Sequence, residues 1–293
     1  MEQMEIIPLA SESLGVRSMA TFIRTRDTGI IIDPGVSLCP NRFGLPPHEK
    51  EKRRKEDLWR RIREKVAASD IIIITHYHYD HFEPEETEVY RGKILYIKHP
   101  TRQINRSQRS RAADFLQKVK GLADEVSYVD GKRFDVGSAE IMFSSPVYHG
   151  IGPMLGFVLE VCVEGDERFL FTSDVQGPAL REQIEFIIEK DPETLYVDGP
   201  MTYLLGEVYP KEYLEAANRN LMEIIDRTRV KRLIVDHHLT RDLNYRSQIN
   251  QVYDLAGGAG VSLVTAAEFL GMKPDLLEAR RRELYQEGEN PGK

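Results

Sequence analysis

The sequence predicts an α/β protein, and two observations carry that prediction. Short β-branched runs alternate with longer charged segments of helical period along the 293 residues. Strands separated by helices in this way imply an α/β chain rather than a sandwich or a bundle. The run Ile71-Ile72-Ile73-Ile74 is apolar at every position, as in a strand buried on both faces of a helix-covered sheet.

Taken in order, the strands are expected at 18–24, 30–33, 71–75, 93–98, 139–144, 156–163, 168–172, 194–198, 232–236 and 261–265. The helices are expected at 47–68, 107–119, 178–189, 210–227, 248–256 and 274–286. In 210–227 the apolar residues Leu214, Ala217, Leu221 and Ile224 recur at helical spacing and form one buried stripe. Pro178, Pro210 and Pro274 would open three helices, where a missing N–H is harmless. Gly257-Gly258-Ala259-Gly260 reads as a turn before a strand, since no phosphate-loop Lys-Ser/Thr follows it. Residues 287–293 read as a polar tail. There is no internal repeat or low-complexity linker, so one domain over residues 1–293 is expected.

Composition narrows the function classes. Hydrophobic residues make up 41% and charged residues 30%, an ordinary soluble composition. Forty Lys and Arg against 47 Asp and Glu give a net charge of −7, which disfavours a protein that coats nucleic acid non-specifically. No apolar stretch approaches the roughly 20 residues needed to span a bilayer. The acidic start Met1-Glu2-Gln3-Met4-Glu5 lacks signal-peptide character, so a cytoplasmic protein is expected. Cys39 and Cys162 are the only cysteines, too few for a disulfide framework or a cysteine-based zinc site.

The chemistry is concentrated in Thr75-His76-Tyr77-His78-Tyr79-Asp80-His81, directly after the isoleucine strand. In extended chain His76 and His78 point to the same side, so both imidazoles can reach one cation. Asp80 and His81 follow where the chain would turn off the strand, within reach of a second cation. Strand ends of α/β sheets are also where active sites tend to lie. Further donors stand at other strand ends: His149 after 143–148, Asp174 after 169–173, and His237 and His238 after 233–236.

The pattern His-x-His-x-Asp-His, then a single His, a single Asp and a final His, resembles the metallo-β-lactamase superfamily. Asp33-Pro34-Gly35 matches the first-strand aspartate motif that precedes the histidine cluster there. The stretch Asp236-His237-His238-Leu239-Thr240-Arg241-Asp242 is similar to that of a mostly archaeal branch. The resemblance implies a four-layer αββα sandwich with a metal site at one edge of its two sheets. It implies that His76, His78 and His149 bind a first metal. Asp80, His81 and the final histidine would bind a second, with Asp174 bridging. The tRNA 3′-processing branch ends in a similar Thr-His-Phe-Ser-x-Arg stretch, and that register makes His237 the ligand in preference to His238. The other histidine then supports a ligand or faces the substrate.

The expected function is that of a metal-dependent hydrolase. Two cations would share a hydroxide, formed at neutral pH because a bound metal lowers the pKa of water to roughly 7. Asp80 and Asp174 would act catalytically by holding the dications together and orienting the water. Asp33 would accept a ligand histidine's other N–H, and Asp198 is either a similar support or a turn residue. Histidine and carboxylate ligands suit zinc first, with manganese or iron as alternatives. The penicillin-cleaving branch has a cysteine where Asp174 stands, which argues against β-lactamase activity.

Spacing excludes several relatives. Asp174 and His237 are 63 positions apart, too few for an inserted second domain. His149 and Asp174 are 25 apart, filled by two expected strands, which leaves no room for a tRNA-gripping arm. A phosphoester or a small lactone or ester is the expected substrate. The alternatives are a nuclease acting on RNA or single-stranded DNA and a non-hydrolytic iron or other metal-binding protein. The nuclease alternative rests on Arg102, Arg106, Arg109 and Arg111, four arginines without an acid among them, which could hold a phosphate or carboxylate. The basic residues of 50–65 are interleaved with acids and read as a solvated helix face. Tyr77 and Tyr79 are expected to pack rather than to flank the pocket.

Overall fold

In the computed structural model, which describes residues 4–289, the isoleucine strand feeds two different cores. Ile71 and Ile73 enter a layer between two sheets, while Ile72 and Ile74 face helices. This is the period-two geometry of a strand covered on both sides.

The first sheet runs in chain order: β1 (Glu5–Pro8), β2 (Thr21–Arg24), β3 (Gly29–Ile32), β4 (Ile71–Ile74), β5 (Ile94–Ile97) and β6 (Glu125–Tyr128). Its pairs are antiparallel from β1 to β3 and parallel from β3 to β6. Next come β7 (Arg133–Val136) and β8 (Ala139–Phe143), then β9 (Val147–Tyr148) and β10 (Phe157–Val158), which pair only with each other. The second sheet is completed by β11 (Val161–Glu164), β12 (Arg168–Phe171), β13 (Thr194–Val197), β14 (Arg232–Val235) and β15 (Ser262–Val264). Its order is β15-β14-β13-β12-β11-β8-β7, parallel from β12 to β15 and antiparallel elsewhere.

Helices α1 (Glu49–Ala67) and α2 (Arg106–Val119) cover the first sheet, placing Leu58, Ile62 and Phe115 against Ile31, Ile72 and Leu95. Helices α3 (Glu182–Lys190), α4 (Lys211–Arg227), α5 (Tyr245–Gln248) and α6 (Asn250–Ala259) lie along the second. There Ile187, Leu221 and Val252 meet Leu170, Leu195 and Leu233. Ile30, Ile73, Phe169, Phe171 and Ile234 fill the space between the sheets. Two short helices, α7 (Ala266–Phe269) and α8 (Arg281–Glu289), complete the chain. The architecture is the αββα sandwich. No described helix is long and apolar enough to cross a membrane.

Several expected elements differ. The expected strand 156–163 is broken into β10 and β11, because Leu159 donates its N–H to the Thr75 carbonyl and crosses to the first sheet. Strands β1, β6, β7 and β9 were not expected. The glycine cluster is no turn: Gly257 to Ala259 form the last turn of α6, and Gly260 ends the helix at φ 72°. Pro210 caps α4, but α3 starts only at Glu182 and α8 only at Arg281, so Pro178 and Pro274 open neither. The expected helix 248–256 is α6, which starts at Asn250 and runs on to Ala259, while Gln248 ends the separate short helix α5. Residues 287–289 of the expected tail belong to α8, and 290–293 lie outside the described residues.

Candidate metal centre

The parallel strands of both sheets release their chains at one rim, and four residues there turn sharply. Asp33 follows β3, Ser173 follows β12 and His237 stands just beyond β14, with φ of 49°, 60° and 47°; Gln176 has φ 55°. Non-glycine residues rarely adopt this left-handed region, and each such position costs about 1–3 kcal/mol unless its surroundings enforce it. Here hydrogen bonds enforce it. Asp33 accepts from Thr75 N (2.8 Å), Thr75 Oγ1 (2.6 Å) and His81 Nδ1 (2.8 Å). Ser173 Oγ lies 2.6 Å from Thr75 Oγ1 and 3.2 Å from His76 Nδ1. Gly35 lets the first strand's exit lie against the histidine loop: a Cβ there would sit 2.6 Å from His81 N and closer still to Phe82 N.

The seven expected donors converge. His76, His78, His149 and Asp174 each bring an atom within 4.8 Å of the others, and Asp80, His81 and His237 do likewise. Asp174 joins the two groups. Its Oδ2 lies 3.2 Å from His149 Nε2 and 3.7 Å from His76 Nε2. Its Oδ1 lies 3.1 Å from His81 Nε2 and 3.2 Å from His237 Nε2. His237 donates from Nδ1 to Glu12 Oε2 (2.8 Å), which turns Nε2 inward. His238 instead donates from Nδ1 to Asp198 Oδ2 (2.9 Å).

Three buried atoms in this cluster, His76 Nε2, His81 Nε2 and Asp174 Oδ1, have no hydrogen-bond partner among the described residues. The 3.1 Å approach of His81 to Asp174 is therefore a close contact without hydrogen-bond geometry. Buried polar atoms are costly when unpaired, and imidazole and carboxylate atoms aimed at a common point suit a divalent cation. The residues fit such an ion.

Matching by sequence agrees with this geometry. Residues 15–227 match the sequence pattern of the metallo-β-lactamase superfamily. The chain belongs to that superfamily. Within the superfamily it stands beside archaeal UPF0282 proteins. The Korarchaeum cryptofilum protein is 48% identical over 285 residues, 97% of this chain and 95% of the relative. That of Metallosphaera sedula is 44% identical over 295 residues, covering 99% and 95%. Among solved structures, unliganded yeast PDE1 superposes with a TM-score of 0.56 at 12% identity, over 90% of this chain and 97% of that one. Igni18, a metallo hydrolase from Ignicoccus hospitalis, superposes with 0.53 at 15% identity, over 93% and 96%. At those identities the likeness is one of fold. The superfamily match stops short of His237 and His238.

Electrostatics divides the donors of this superfamily centre. Burial, with the neighbouring histidines, holds His76 well below its ordinary value; burial and His149 bring His78 to about 3. The downward direction favours the neutral imidazole, the ligand form, at both. Burial opposes charge on His81, but Asp174 and Asp33 raise it well above. Burial likewise opposes charge on His237, and Glu12 and Asp174 raise it to about 10. Protons on these two rings meet the charge of Asp80 and Asp174; a cation among the same atoms would take over that role and release them. Burial and Asp174 push Asp198 up, and burial and Arg241 push His238 down, so both drift toward the uncharged form.

Supporting residues include some with no local sequence signal. Glu12, from the short helical turn Glu12–Leu14, also accepts from Arg241 Nε (2.7 Å). Gln108 of α2 accepts from Tyr77 N (3.1 Å) and donates to Leu155 O (2.7 Å), joining the histidine loop to the 149–156 loop. A cleft of about 910 Å³ opens over the centre, and His78, Asp80, His149, Asp174 and His238 line it.

None of Arg102, Arg106, Arg109 and Arg111 lines that cleft. Arg102 borders a separate hollow with His99, Tyr128 and Lys132. Arg109 donates to Thr101 O (3.2 Å). Arg111 donates to Tyr77 O (3.1 Å) and stacks over Tyr79 at 4.6 Å, so it braces the histidine loop. Tyr77 is buried, donating to Lys98 O (2.5 Å), whereas Tyr79 is about half exposed (48%). On α1 the basic residues pair with acids, as in Lys52–Glu49 and Arg60–Asp57.

Proposed function

We propose that this protein is a metal-dependent hydrolase with a dinuclear centre, acting on a phosphoester or a small lactone or ester. The observation that carries the reading is the convergence of seven histidine and aspartate donors on one rim, with three of their buried atoms unpaired. His76, His78 and His149 would hold one cation, and Asp80, His81 and His237 the other, with Asp174 between them. Zinc is the first choice of metal, and the two sheets act as one unit because the donors come from both.

The cations, when bound, lower the pKa of a water to roughly 7 and polarise the substrate oxygen. The protein's own groups do the rest. Asp33 and Glu12 fix the tautomers of His81 and His237, so that each Nε2 is presented inward. Asp80, at the cleft floor, orients the attacking water and accepts its proton. Water adds to phosphorus or to the acyl carbon as the ester P–O or C–O bond breaks, and the proton held at Asp80 passes to the departing oxygen. His238, oriented through Nδ1 by Asp198 and facing the cleft, presents an unprotonated Nε2 that can accept a hydrogen bond from the attacking water or from the product hydroxyl.

Elemental analysis combined with hydrolysis of bis(p-nitrophenyl) phosphate tests the reading. About two zinc or manganese ions per chain with turnover, both lost in His76→Ala, is the expected result. A protein that binds no metal, or hydrolysis unchanged in His76→Ala, overturns it.

A further inference from the structure

We infer that the substrate of this centre is an amphiphilic anion, carrying an apolar chain or ring of medium length beside its charged head. The inference rests on the hydrolase reading for the site and goes beyond it in naming the substrate class.

Two segments from distant parts of the chain contribute apolar side chains to the lining of the cleft. The 149–156 loop contributes Ile151, Met154 and Leu155, and the segment after β13 contributes Met201, Leu204 and Val208. Met154 is 87% exposed and Val208 63%. A lone exposed apolar residue needs no explanation, but a rim of them around a cleft marks a binding surface.

Both segments are anchored. Asn105 Nδ2 donates to Met154 O (3.1 Å) and Gln108 Nε2 to Leu155 O (2.7 Å). In the other segment, Tyr209 closes a bridge with Leu205 and donates from its hydroxyl to Gln176 O (3.0 Å). The two segments are thus preformed, which lowers the ordering cost of binding.

The lining also holds two guanidinium groups. Its carboxylates, Asp80 and Asp174, are both donors of the metal centre. Its other charged side chains are Arg17 and Arg241. Each guanidinium is clamped by a buried carboxylate on one edge. Arg17 donates from Nε and Nη2 to Glu278, 2.7 Å each, and its Nη1 makes no hydrogen bond among the described residues. Arg241 is fully engaged, at Glu12 through Nε and Nη2 (2.7 Å each), with Nη1 3.3 Å from the Tyr203 hydroxyl and Nη2 3.0 Å from His237 Nε2, so of the two it is Arg17 that keeps an edge open. A fixed guanidinium with a free edge suits a phosphate or carboxylate. A nucleic-acid strand would call for basic side chains along the rim, and the rim is apolar. A small polar lactone would leave both apolar segments bare. A charged head at the guanidinium with an apolar tail against these segments matches both features.

The test is displacement of the fluorescent probe anilinonaphthalene sulfonate from the purified full-length protein. The competitors are inorganic phosphate, a series of n-alkyl phosphates, octanoate and octanol. Affinity should rise about 2- to 4-fold per added methylene, up to roughly eight carbons. Octyl phosphate or octanoate should bind at least about 10-fold tighter than octanol, and the tighter of the two names the head group. Met154→Asp and Val208→Asp sit in water and should keep metal content and melting temperature while flattening the chain-length series. Arg17→Gln should weaken the anions and leave octanol unchanged, with Arg17→Lys partly restoring them. The inference is overturned if inorganic phosphate competes as well as octyl phosphate, if octanol matches the anions, or if the rim variants behave as wild type. Metal content and bis(p-nitrophenyl) phosphate turnover on the same preparations separate the two readings. A metal-loaded, active protein with a flat series loses only the substrate class. A steep series in a protein without metal loses only the hydrolase.

Discussion

Glu12 touches both His237 and Arg241, residues more than 220 positions away in the chain. Its carboxylate decides which nitrogen of His237 faces inward, so Glu12→Gln removes the charge that keeps Nδ1 protonated. Loss of such an outer partner typically weakens metal binding 10- to 100-fold. Competition with a graded series of chelators should show that loss, with the circular dichroism spectrum unchanged. The adjacent histidines should separate in the same assay. His237→Ala is expected to lower the metal count toward one per chain, while His238→Ala keeps two and slows turnover. The reverse outcome would reassign the final ligand. The histidine cluster was legible because His76, His78, Asp80 and His81 fall within six residues and their chemistry is local. Glu12, Arg17 and Gln108 were not, because their partners come from the far end of the chain or from another layer.

At the scale of elements, the exit of β3 and the loop after β4 work as a pair. Asp33 ties them by hydrogen bonds, and Gly35 permits the backbone contact with His81 and Phe82. Gly35→Ala must therefore move the loop carrying His78, Asp80 and His81. Metal content should fall below two per chain, with a destabilisation of about 1–3 kcal/mol read from urea melts; unchanged metal content would show that the loop yields freely. The buried strands were legible because four β-branched residues in a row leave little alternative. Strands β6 and β7 were not, since they are largely exposed and carry the polar residues of an edge. Gly257 and Gly258 misled in the other direction. Nothing lies within 4 Å of a Cβ at either position, so these glycines answer to no steric demand of the turn type their sequence suggested.

At the scale of the molecule, two buried glutamates set opposite pH dependences. Glu278, clamped by Arg17 and near Arg42, is held at about 2 because these cations outweigh its burial. Its folded-state pKa lies below its unfolded one. Its stabilisation is therefore complete above about pH 5 and is lost as pH falls toward 2, by roughly 3 kcal/mol at most. Glu160 is fully buried, with both carboxylate oxygens unpaired among the described residues. Burial and Glu182 raise it well above the ordinary value, so its cost appears as pH rises past the unfolded value of about 4.5. Urea melts from pH 3 to 9 should show Glu278→Gln losing the acid limb and Glu160→Gln flattening the alkaline one. A pH profile unmoved by either change would contradict this assignment.

The donors at the rim come from residues 76–81, 149, 174 and 237, and Asp33 and Glu12 stand behind them. In polymer terms, ions held there are cross-links that close long loops, and such closures remove more freedom from an unfolded chain than local contacts do. The rim that performs the chemistry would then also work as a clasp, fastening the first strands to the last parallel ones. Catalytic competence and resistance to unfolding would be gained in the same event.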